Sequence, residues 1–394
     1  MSRPLKVMLV AIEASADALG AGLAEALKAR LGKGVTFCGV GGARMAAEGV
    51  ASPIDIAGLS LVGLFEIAGA VPKVLNHIET TVRLAEAEQP DVAVLIDSWG
   101  FTWRVARRLR LRTPNVAVVK YVAPQVWATR PSRARALAQV CDLLLALFAF
   151  EAPYFEREGL AVTVVGSPAF ARDWSTVDPA RLRAQIGAAR DDPILLVLPG
   201  SRSGEIRRIL PAFEDAAMRL KADHPKLHLV VAAAETVAEA VKARVAGWPH
   251  RAHVVEGEAA RIEAMRAATV ALTKSGTVTT ELALAGCPMV VGYRGHPLTA
   301  IAARLIARVS YLTLINIAAD AEVAPEFLQE RCTGLELAAA VSKLLDDAPA
   351  RQRQIAAQTS ALRRLSAGVA DADGRAADAV LDLMRSRGWS PDQA

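Results

Sequence analysis

Short runs of apolar and β-branched residues alternate with amphipathic, helix-like segments along most of the chain. This alternation predicts βαβ units, in which helices cover a parallel sheet on both faces. The predicted strands of the first half lie at Val7–Ile12, Val35–Cys38, Val92–Ile96, Val116–Val122, Leu143–Phe148 and Val162–Val165. Those of the second half lie at Ile194–Leu198, Leu227–Ala232, His253–Val255, Val270–Leu272 and Met289–Gly292.

A polar stretch between Arg172 and Pro193 separates the two series, and we interpret it as a linker. Two domains are also the usual number for a chain of 394 residues. We therefore predict an α/β protein with one domain in residues 1–170 and a second in residues 190–365. The segment that follows, residues 366–394, is predicted to be helical.

Two strands of the second half lead into turns that suit a phosphate group. Each turn combines Gly, Ser and a cation and precedes a helical pattern, over Leu195–Arg208 and Leu272–Glu281. Free N–H groups at a helix start bind anions, so the turns predict a phosphorylated ligand at the carboxyl edge of a sheet. In the first turn, Arg202 is placed to bind a diphosphate or to pair with Glu205. The second turn offers hydroxyl and backbone donors, followed by a carboxylate suited to ribose hydroxyls, in Ser275, Gly276, Thr277 and Glu281.

Carboxylates follow two strands of the first half. Asp97 ends the strand at Val92–Ile96, where a side chain points into the ligand crevice of a parallel sheet. Its position alone is equally consistent with a general base and with a helix N-cap. The same two interpretations, a helix cap or a ligand contact, apply to the polar residues after the first strand, which are Glu13, Ser15 and Asp17.

The chain carries a net charge of +5, and many of its arginines lie between Arg104 and Arg135. This clustering fits either a solvated helix face or a surface that attracts anionic lipid headgroups. Nucleic acid is not an expected partner, because no aromatic-rich basic module accompanies the arginines. The longest apolar stretch, Ile56–Leu75, contains Glu66 and Pro72 and is therefore not predicted to span a membrane. It is either a core helix or an apolar surface for an acyl chain.

The sequence argues against a metal ion or another cofactor. Its four cysteines form no CxxC pair, which fits a reducing cytoplasm without zinc sites or disulfides. The run Gly39–Gly42 has Arg44 where the dinucleotide fingerprint needs its last glycine, so we interpret it as a tight turn. Asp371 and Asp373 form a DxD pair in a helix-rich tail, and we interpret them as solvated side chains rather than metal ligands.

Several longer blocks make the chain resemble the lipid-A-disaccharide synthase family, whose members are inverting glycosyltransferases of the GT-B fold. Each block alone is modest, but their order and spacing over nearly the whole chain are specific. The blocks include EASADALGAGL (13–23), FCGVGGARMAAEG (37–49), VGLFEI (62–67), PDVAVLIDSWGF (90–101), YVAPQVWATRPSRA (121–134), FEAPYFEREG (150–159), LPGSRSGEI (198–206) and SGTVTTELALAGCPMVVGYR (275–294).

The resemblance implies two Rossmann-like parallel-sheet domains that face a cleft, with the last helix packing back on the first domain. It also implies transfer from UDP-2,3-diacylglucosamine to 2,3-diacylglucosamine 1-phosphate (lipid X), which yields a β-1,6 disaccharide 1-phosphate and UDP without a metal or other cofactor. Asp97 is then the expected base for the acceptor 6-hydroxyl. The expected UDP-sugar contacts are Arg202, Ser275, Gly276, Thr277, Glu281, Asn316 and Gln329. The expected contacts on the acceptor and lipid side are Glu13, Ser15, Asp17, Glu66 and Gln125.

The resemblance further implies a cytoplasmic enzyme of a Gram-negative bacterium, peripherally associated with the anionic surface of the inner membrane, and it allows a homodimer. Four residues of the first domain differ from those usual in the family, and they are Ala16, Trp99, Gly100 and Ser167. These differences leave open a diverged paralogue that transfers a UDP-sugar to another lipid acceptor. More remote alternatives are a UDP-sugar epimerase of the same fold and an inactive scaffold at the membrane surface.

Overall fold

The structure of the chain is a computed structural model that describes residues 3–56, 67–127, 130–201, 203–234, 237–295, 310–366, 368–369 and 371–390. The chain divides into two compact units. The first unit combines Met1–Ala171 with Ser366–Ala394, and the second unit is Arg172–Leu365. Two predicted site residues, Glu66 and Arg202, lie outside the described residues, as do residues 57–66 of the apolar stretch.

The first unit is built on a six-stranded parallel sheet with the order β2-β1-β3-β4-β5-β6. Its strands are β1 Leu5–Val10, β2 Val35–Val40, β3 Val92–Ile96, β4 Ala117–Tyr121, β5 Leu143–Ala146 and β6 Ala161–Val164. β1 pairs with both β2 and β3, so Val7 lies opposite Phe37 on one side and Val92 on the other. Every residue of β3, β4 and β5 is buried, because helices cover both faces of the sheet.

The helices of this unit face the sheet with apolar stripes that repeat every three or four residues. They are α1 Ala14–Leu31, α2 Ala43–Ala47, α3 Ile67–Glu88, α4 Trp99–Arg112, α5 Ser132–Ala138 and α6 Ala152–Glu156. On one face of the sheet, Phe101, Val105 and Leu109 of α4 belong to the same buried core as Ile78 and Val82 of α3. This packing fixes the start of α4, two residues after Asp97, against the end of β3.

The second unit has a second parallel sheet, with the order β12-β11-β10-β7-β8-β9. Its strands are β7 Ile194–Leu198, β8 His228–Ala233, β9 Ala252–Glu256, β10 Val270–Lys274, β11 Met289–Tyr293 and β12 Glu326–Leu328. Its helices are α7 Ala180–Ile186, α8 Ser203–Asp223, α9 Ala238–Ala246, α10 Glu258–Ala267, α11 Val278–Leu284, α12 Leu314–Ala319, α13 Gly334–Asp346 and α14 Ala348–Ser366. The sequence pattern did not predict β12, because three residues are too few to establish a periodicity.

The polar stretch between Arg172 and Pro193 is more than a linker, because it contains α7. Leu182 and Ile186 of this helix are buried four residues apart, and α7 lies against α10. The polar composition around these two residues concealed the short amphipathic pattern.

The last helix, α15 Ala372–Ser386, belongs to the first unit and packs on α1. Ala376 and Val380 of α15 lie in the same buried core as Leu23 of α1. At the edge of this contact, Nε of Arg30 lies 2.5 Å from Oδ1 of Asp378. The first unit therefore contains both ends of the chain.

The DxD pair lies at the start of α15, and its two carboxylates differ in their surroundings. Asp371 is exposed and caps the helix by accepting a hydrogen bond from the N–H of Gly374 at 2.8 Å. Asp373 is half-buried, and burial raises the pKa of its carboxyl, with a smaller contribution from Asp371 and Glu25. The interpretation of both residues as solvated was therefore wrong for Asp373.

Metal ligands and membrane spans are absent from the part of the chain that the structure describes. There, no three His, Cys, Asp or Glu side chains converge closely enough to hold a metal ion. No described helix combines the length and the apolar character needed to cross a bilayer. All four cysteines are free and buried, and burial raises the pKa of the Cys141 and Cys287 thiols to about 12.

Candidate active site

The parallel strands of the first unit end on one edge, and several predicted site residues lie in the loops there. Glu13 and Ser15 follow β1, Asp97 follows β3 and Gln125 follows β4. Because β1, β3 and β4 are neighbours in the sheet, these loops lie side by side. We call the loops after these three strands the first edge.

Asp97 lies in a strained turn between β3 and α4. Asp97 and Ser98 have φ angles of 49° and 40°, a left-handed conformation that is unfavourable for residues other than glycine. The N–H of Asp97 donates to the carbonyl of Tyr121 at 2.9 Å, and the hydroxyl of Thr102 donates to the carbonyl of Asp97 at 2.7 Å. These contacts hold the turn, while the Asp97 side chain stays partly accessible.

Lys120 supports the same turn from inside the sheet. Its side chain leaves β4, and the residue is only 2% exposed. The ammonium donates to the carbonyl of Asp97, to the carbonyl of Leu95 at 3.2 Å and to the hydroxyl of Thr102 at 3.2 Å. Burial lowers the pKa of Lys120 to about 8, although the negative charge of Asp97 opposes this effect. Lysine is seldom fully buried, so a lysine in the apolar run VVKYV was a signal that the sequence analysis missed.

The remaining residues of the first edge differ in their contacts. Oε1 of Glu13 accepts a hydrogen bond from the hydroxyl of Ser98 at 2.9 Å, which brings Glu13 next to the Asp97 turn. Ser15 is exposed in the first turn of α1, and Gln125 is exposed in the loop after β4. The structure thus places these residues at one edge and joins Glu13 directly to the turn.

Asp17 connects α1 to the start of α2 through its carboxylate. It lies inside α1 and is 5% exposed. Its carboxylate accepts hydrogen bonds from the N–H groups of Gly42 at 2.6 Å, Arg44 at 3.0 Å and Met45 at 3.2 Å. The carboxylate therefore holds the start of α2, and its interpretation as a cap of its own helix was wrong because α1 begins at Ala14. Its expected contact with the acceptor stays a prediction.

An aromatic and cationic group of side chains borders the Asp97 turn. The rings of Trp99 and Trp103, both in α4, stack with centroids 5.8 Å apart. The guanidinium of Arg133, in α5, lies 5.2 Å from the Trp99 ring centroid, and that of Arg107 lies 5.5 Å from the Trp103 centroid. We call these four residues the Arg–Trp cluster. Trp99, one of the departures from the family pattern, here provides the aromatic face on which Arg133 rests.

The second unit presents a corresponding edge, formed by the loops after β7, β10, β11 and β12, which are neighbouring strands. We call it the second edge. Gly200 follows β7, Ser275 follows β10, Arg294 follows β11 and Gln329 follows β12. The guanidinium of Arg294 donates to the carbonyl of Gln329 at 3.4 Å and to that of Cys332 at 2.9 Å. Of the residues that the sequence singled out, Ser275 and Gln329 therefore follow two strands that both pair with β11.

Ser275, Gly276 and Thr277 form the turn between β10 and α11, and Ser275 is buried. Glu281 lies one helical turn further on, where the guanidinium of Arg261 from α10 donates to its carboxylate. A carboxylate has about four acceptor sites, so this pair leaves Glu281 able to accept from ribose hydroxyls. The sequence did not predict Arg261 as the partner, because twenty residues separate the two.

Asn316 is fully buried and satisfies its side chain inside the second unit. Its amide donates to the carbonyl of Ala324 and to Oε1 of Glu326, both at 2.8 Å. Its side-chain oxygen accepts from the N–H groups of Val323 and Ala324 at 2.9 Å. Two donors and two acceptor sites are all that an Asn side chain has. Asn316 therefore shapes the loop before β12, and its expected contact with the UDP-sugar stays a prediction.

Comparison with known proteins identifies the family. The family profile described as lipid-A-disaccharide synthetase matches residues 7–380. The chain belongs to the lipid-A-disaccharide synthase family. Among its relatives, the lipid-A-disaccharide synthase of Rhodospirillum centenum is 42% identical over 98% of this chain and 96% of its own length. That of Rhodopseudomonas palustris strain CGA009 is 43% identical over 96% of both chains.

Solved structures of low identity agree on the fold of this lipid-A-disaccharide synthase family member. Staphylococcus aureus MnaA, solved with UDP, has a TM-score of 0.66 and 16% identity, and covers 97% of this chain and 96% of its own. The UDP-GlcNAc 2-epimerase of Neisseria meningitidis, bound to UDP-GlcNAc, has a TM-score of 0.62 and 12% identity, over 96% and 100% of the two chains. The predicted family and GT-B fold are confirmed, and the enzyme is a glycosyltransferase of lipid A biosynthesis.

One further carboxyl of this synthase was given no role by the sequence analysis. Glu151 follows β5 and is 4% exposed. Burial raises the pKa of Glu151 to about 8, although hydrogen bonds, among them one of 3.1 Å from the N–H of Phe148, oppose the shift. The residue lies in the block FEAPYFEREG, which was part of the resemblance.

Proposed function

We propose that the enzyme transfers diacylglucosamine from UDP-2,3-diacylglucosamine to lipid X, with Asp97 as the general base. The observation that carries the proposal is the Asp97 turn, in which a partly accessible carboxylate at a central strand end is supported by Lys120 and Thr102. A non-glycine residue in a left-handed conformation costs on the order of 1–3 kcal/mol, and such strain is concentrated at functional sites.

The chemistry assigned to Asp97 is a single proton transfer. Its carboxylate removes the proton of the acceptor 6-hydroxyl while that oxygen attacks C1 of the donor sugar. The bond between C1 and the diphosphate oxygen breaks, and UDP leaves with the bonding electrons, which inverts the configuration at C1. The hydrogen bond from the Ser98 hydroxyl to the Glu13 carboxylate supports this assignment, because it fixes Ser98, which directly follows Asp97 in the turn.

We assign the UDP part of the donor to the second edge. Ser275, Gly276 and Thr277 offer hydroxyl and backbone donors to the diphosphate, together with Arg202, and Glu281 accepts from the ribose. Gln329 completes the contacts at the end of β12. Donors and cations at this position stabilise the negative charge that UDP gains as it leaves. Arg261 holds the Glu281 carboxylate in place.

We further propose that the enzyme works as a peripheral protein on the cytoplasmic surface of the inner membrane, where its substrates carry acyl chains. Arginines of α4 and α5 supply positive charge, and indole rings suit the membrane interface. Residues 56–75 then provide the apolar surface for acyl chains. Sedimentation with vesicles that contain phosphatidylglycerol tests this: the bound fraction falls as salt rises, through screening. Absence of binding at low salt contradicts the proposal.

The Asp97→Asn variant tests the base assignment. Turnover, measured as UDP release with lipid X, is expected to fall by about 10²–10⁴, because a general base contributes a factor of this size. The dissociation constant for UDP stays unchanged, since UDP is assigned to the other unit. Asp320→Asn is the matched control. Asp320 is exposed and has a φ angle of 51°, close to that of Asp97, and the substitution removes the same charge. Full turnover of Asp97→Asn with UDP binding intact rules out Asp97 as the base.

Mass spectrometry of the lipid product tests the acceptor. A tetraacyl disaccharide 1-phosphate that forms only when lipid X is present supports the proposed reaction. UDP binding without any product from lipid X favours the alternative, a paralogue with another lipid acceptor. The residues that motivate this alternative, Ala16, Trp99, Gly100 and Ser167, all lie in the first unit.

A further inference from the structure

The arginines between Arg104 and Arg135 fall into two groups that differ in their counter-ions. One group is neutralised, in the pairs Arg110–Asp142, Arg112–Glu79, Arg112–Glu86 and Arg135–Glu158. No described carboxylate lies within ion-pair distance of the other group, which comprises Arg104, Arg107, Arg108, Arg130 and Arg133. This second group includes both arginines of the Arg–Trp cluster, whose positive charge has no counter-ion among the described residues.

Arg133 differs from the other members of this group in its surroundings. It is partly buried, and its guanidinium rests on the Trp99 ring. Burial lowers the pKa of Arg133, and the neighbouring charge of Arg130 lowers it further. A cation removed from water without a counter-ion is unfavourable, and a cation–π contact of about 0.5–2 kcal/mol offsets only part of the cost. The arrangement therefore favours the arrival of an anion.

The position of Arg133 relates it to the proposed base. Trp99 follows Asp97 by two residues and begins α4, and Arg133 lies in the first turn of α5, which follows the neighbouring strand β4. α4 and α5 are joined by a hydrogen bond of 3.3 Å from the Trp103 indole N–H to the carbonyl of Ala136. A substrate group bound at Arg133 is thus at the same edge as the Asp97 carboxylate.

The acceptor has its anion at a matching place. Lipid X reacts through its 6-hydroxyl and carries a phosphate on C1, and C1 and C5, which bears C6, are both bonded to the ring oxygen. When the 6-hydroxyl meets Asp97, the phosphate therefore lies within the width of one sugar ring. We propose that Arg133, resting on the Trp99 ring, binds the acceptor phosphate and makes the enzyme select a phosphorylated lipid. The inference rests on the proposed role of Asp97 for its geometry.

The test compares two acceptors, lipid X and the same 2,3-diacylglucosamine without its phosphate, in detergent micelles so that membrane binding does not contribute. For the wild type, kcat/KM is higher with lipid X. In Arg133→Gln, kcat/KM for lipid X falls by about 10–100-fold, the usual effect of losing a hydrogen bond to a charged group. The value for the phosphate-free acceptor and the dissociation constant for UDP stay unchanged. Arg107→Gln, which removes the equivalent guanidinium from Trp103, keeps the wild-type preference.

The possible outcomes separate this proposal from its rivals. An equal fall for both acceptors overturns it and assigns Arg133 to the packing of α5. Unchanged kinetics in micelles, with weaker sedimentation on phosphatidylglycerol vesicles, also overturns it and assigns Arg133 to lipid headgroups. Full turnover of Asp97→Asn rules out Asp97 as the base. The kcat/KM for lipid X divided by that for the phosphate-free acceptor, measured in Arg133→Gln, still decides whether Arg133 binds the phosphate.

Discussion

Replacement of Lys120 by methionine is expected to change how the stability of the enzyme depends on pH. Lys120 is fully buried, and burial lowers its pKa from 10.5 to about 8 in the folded protein. Between these two values the unfolded chain holds a proton that the folded protein has released. Stability therefore rises with pH across this range, because the unfolded state binds more protons.

The magnitude follows from the size of this pKa difference. One pKa unit corresponds to about 1.4 kcal/mol, so the shift of Lys120 from 10.5 to about 8 contributes roughly 3 kcal/mol. This gain in the free energy of unfolding is absent below pH 8, where Lys120 is protonated in both states, and complete above pH 10.5, where it is deprotonated in both. At pH 7 the variant loses three hydrogen bonds but also removes a buried charge, and these effects oppose each other. The change with pH is therefore more informative than stability at any single pH.

Urea unfolding of wild type and Lys120→Met, followed between pH 7 and pH 11, measures this quantity. The free energy of unfolding of the wild type minus that of the variant is expected to rise by roughly 3 kcal/mol from pH 7.5 to pH 11. A constant m-value shows that the same transition is followed at each pH. Thr102→Val is the control, because it removes a neighbouring hydroxyl and keeps the ammonium, so the pH effect remains. A pH-independent difference between wild type and Lys120→Met refutes the reasoning.

Two further predictions concern buried positions of the first unit. Burial raises the pKa of Glu151 from 4.5 to about 8, so the free energy of unfolding of the wild type falls as pH rises from 4.5 to 8. Glu151→Gln removes up to about 4–5 kcal/mol of this pH dependence. Identical urea midpoints for wild type and variant at both pH 5 and pH 8 contradict the prediction. Gly39→Ala is expected to destabilise the enzyme by about 3 kcal/mol. The Cβ of the new alanine would lie 1.9 Å from the Leu9 carbonyl oxygen, and Gly39 has a φ angle of 156°. Thermal unfolding measures this loss, with Gly32→Ala as a control at an open, left-handed glycine.

The sequence predicted those parts of the fold that depend on local patterns. Apolar runs gave the strands, and the rule that ligands bind at the carboxyl ends of parallel strands placed Asp97 and Ser275 at sheet edges. It did not predict interactions between distant loops, such as the contact of Asp17 with the start of α2. A carboxylate after a strand is compatible with a ligand, a cap or a neighbouring loop, and only the tertiary structure distinguishes them.

The same limit applies to the residues that the sequence missed. Lys120 lies in a run that correctly predicted a buried strand, and the lysine itself contradicted that pattern. Lys120 is tolerated there because its ammonium donates to the Leu95 carbonyl of the adjacent strand β3. The sequence does not show this partner, because the order of strands in the sheet determines which carbonyls are close. A buried charge in an apolar strand is therefore a signal of a local structural demand, here the strained turn that carries Asp97.

The return of α15 to the first unit has a consequence for the synthesis of the enzyme. Ribosomes deliver the N-terminus first, and domains generally fold as they emerge. Residues 172–365 are continuous and contain a complete sheet, so the second unit can fold while the last helix is still inside the ribosome. The unit that carries Asp97 is complete only after α15 has left the ribosome, and until then the apolar face of α1 that α15 covers is exposed to solvent and to chaperones. A nonsense mutation that removes only this last helix therefore leaves the unit with the proposed base unfinished.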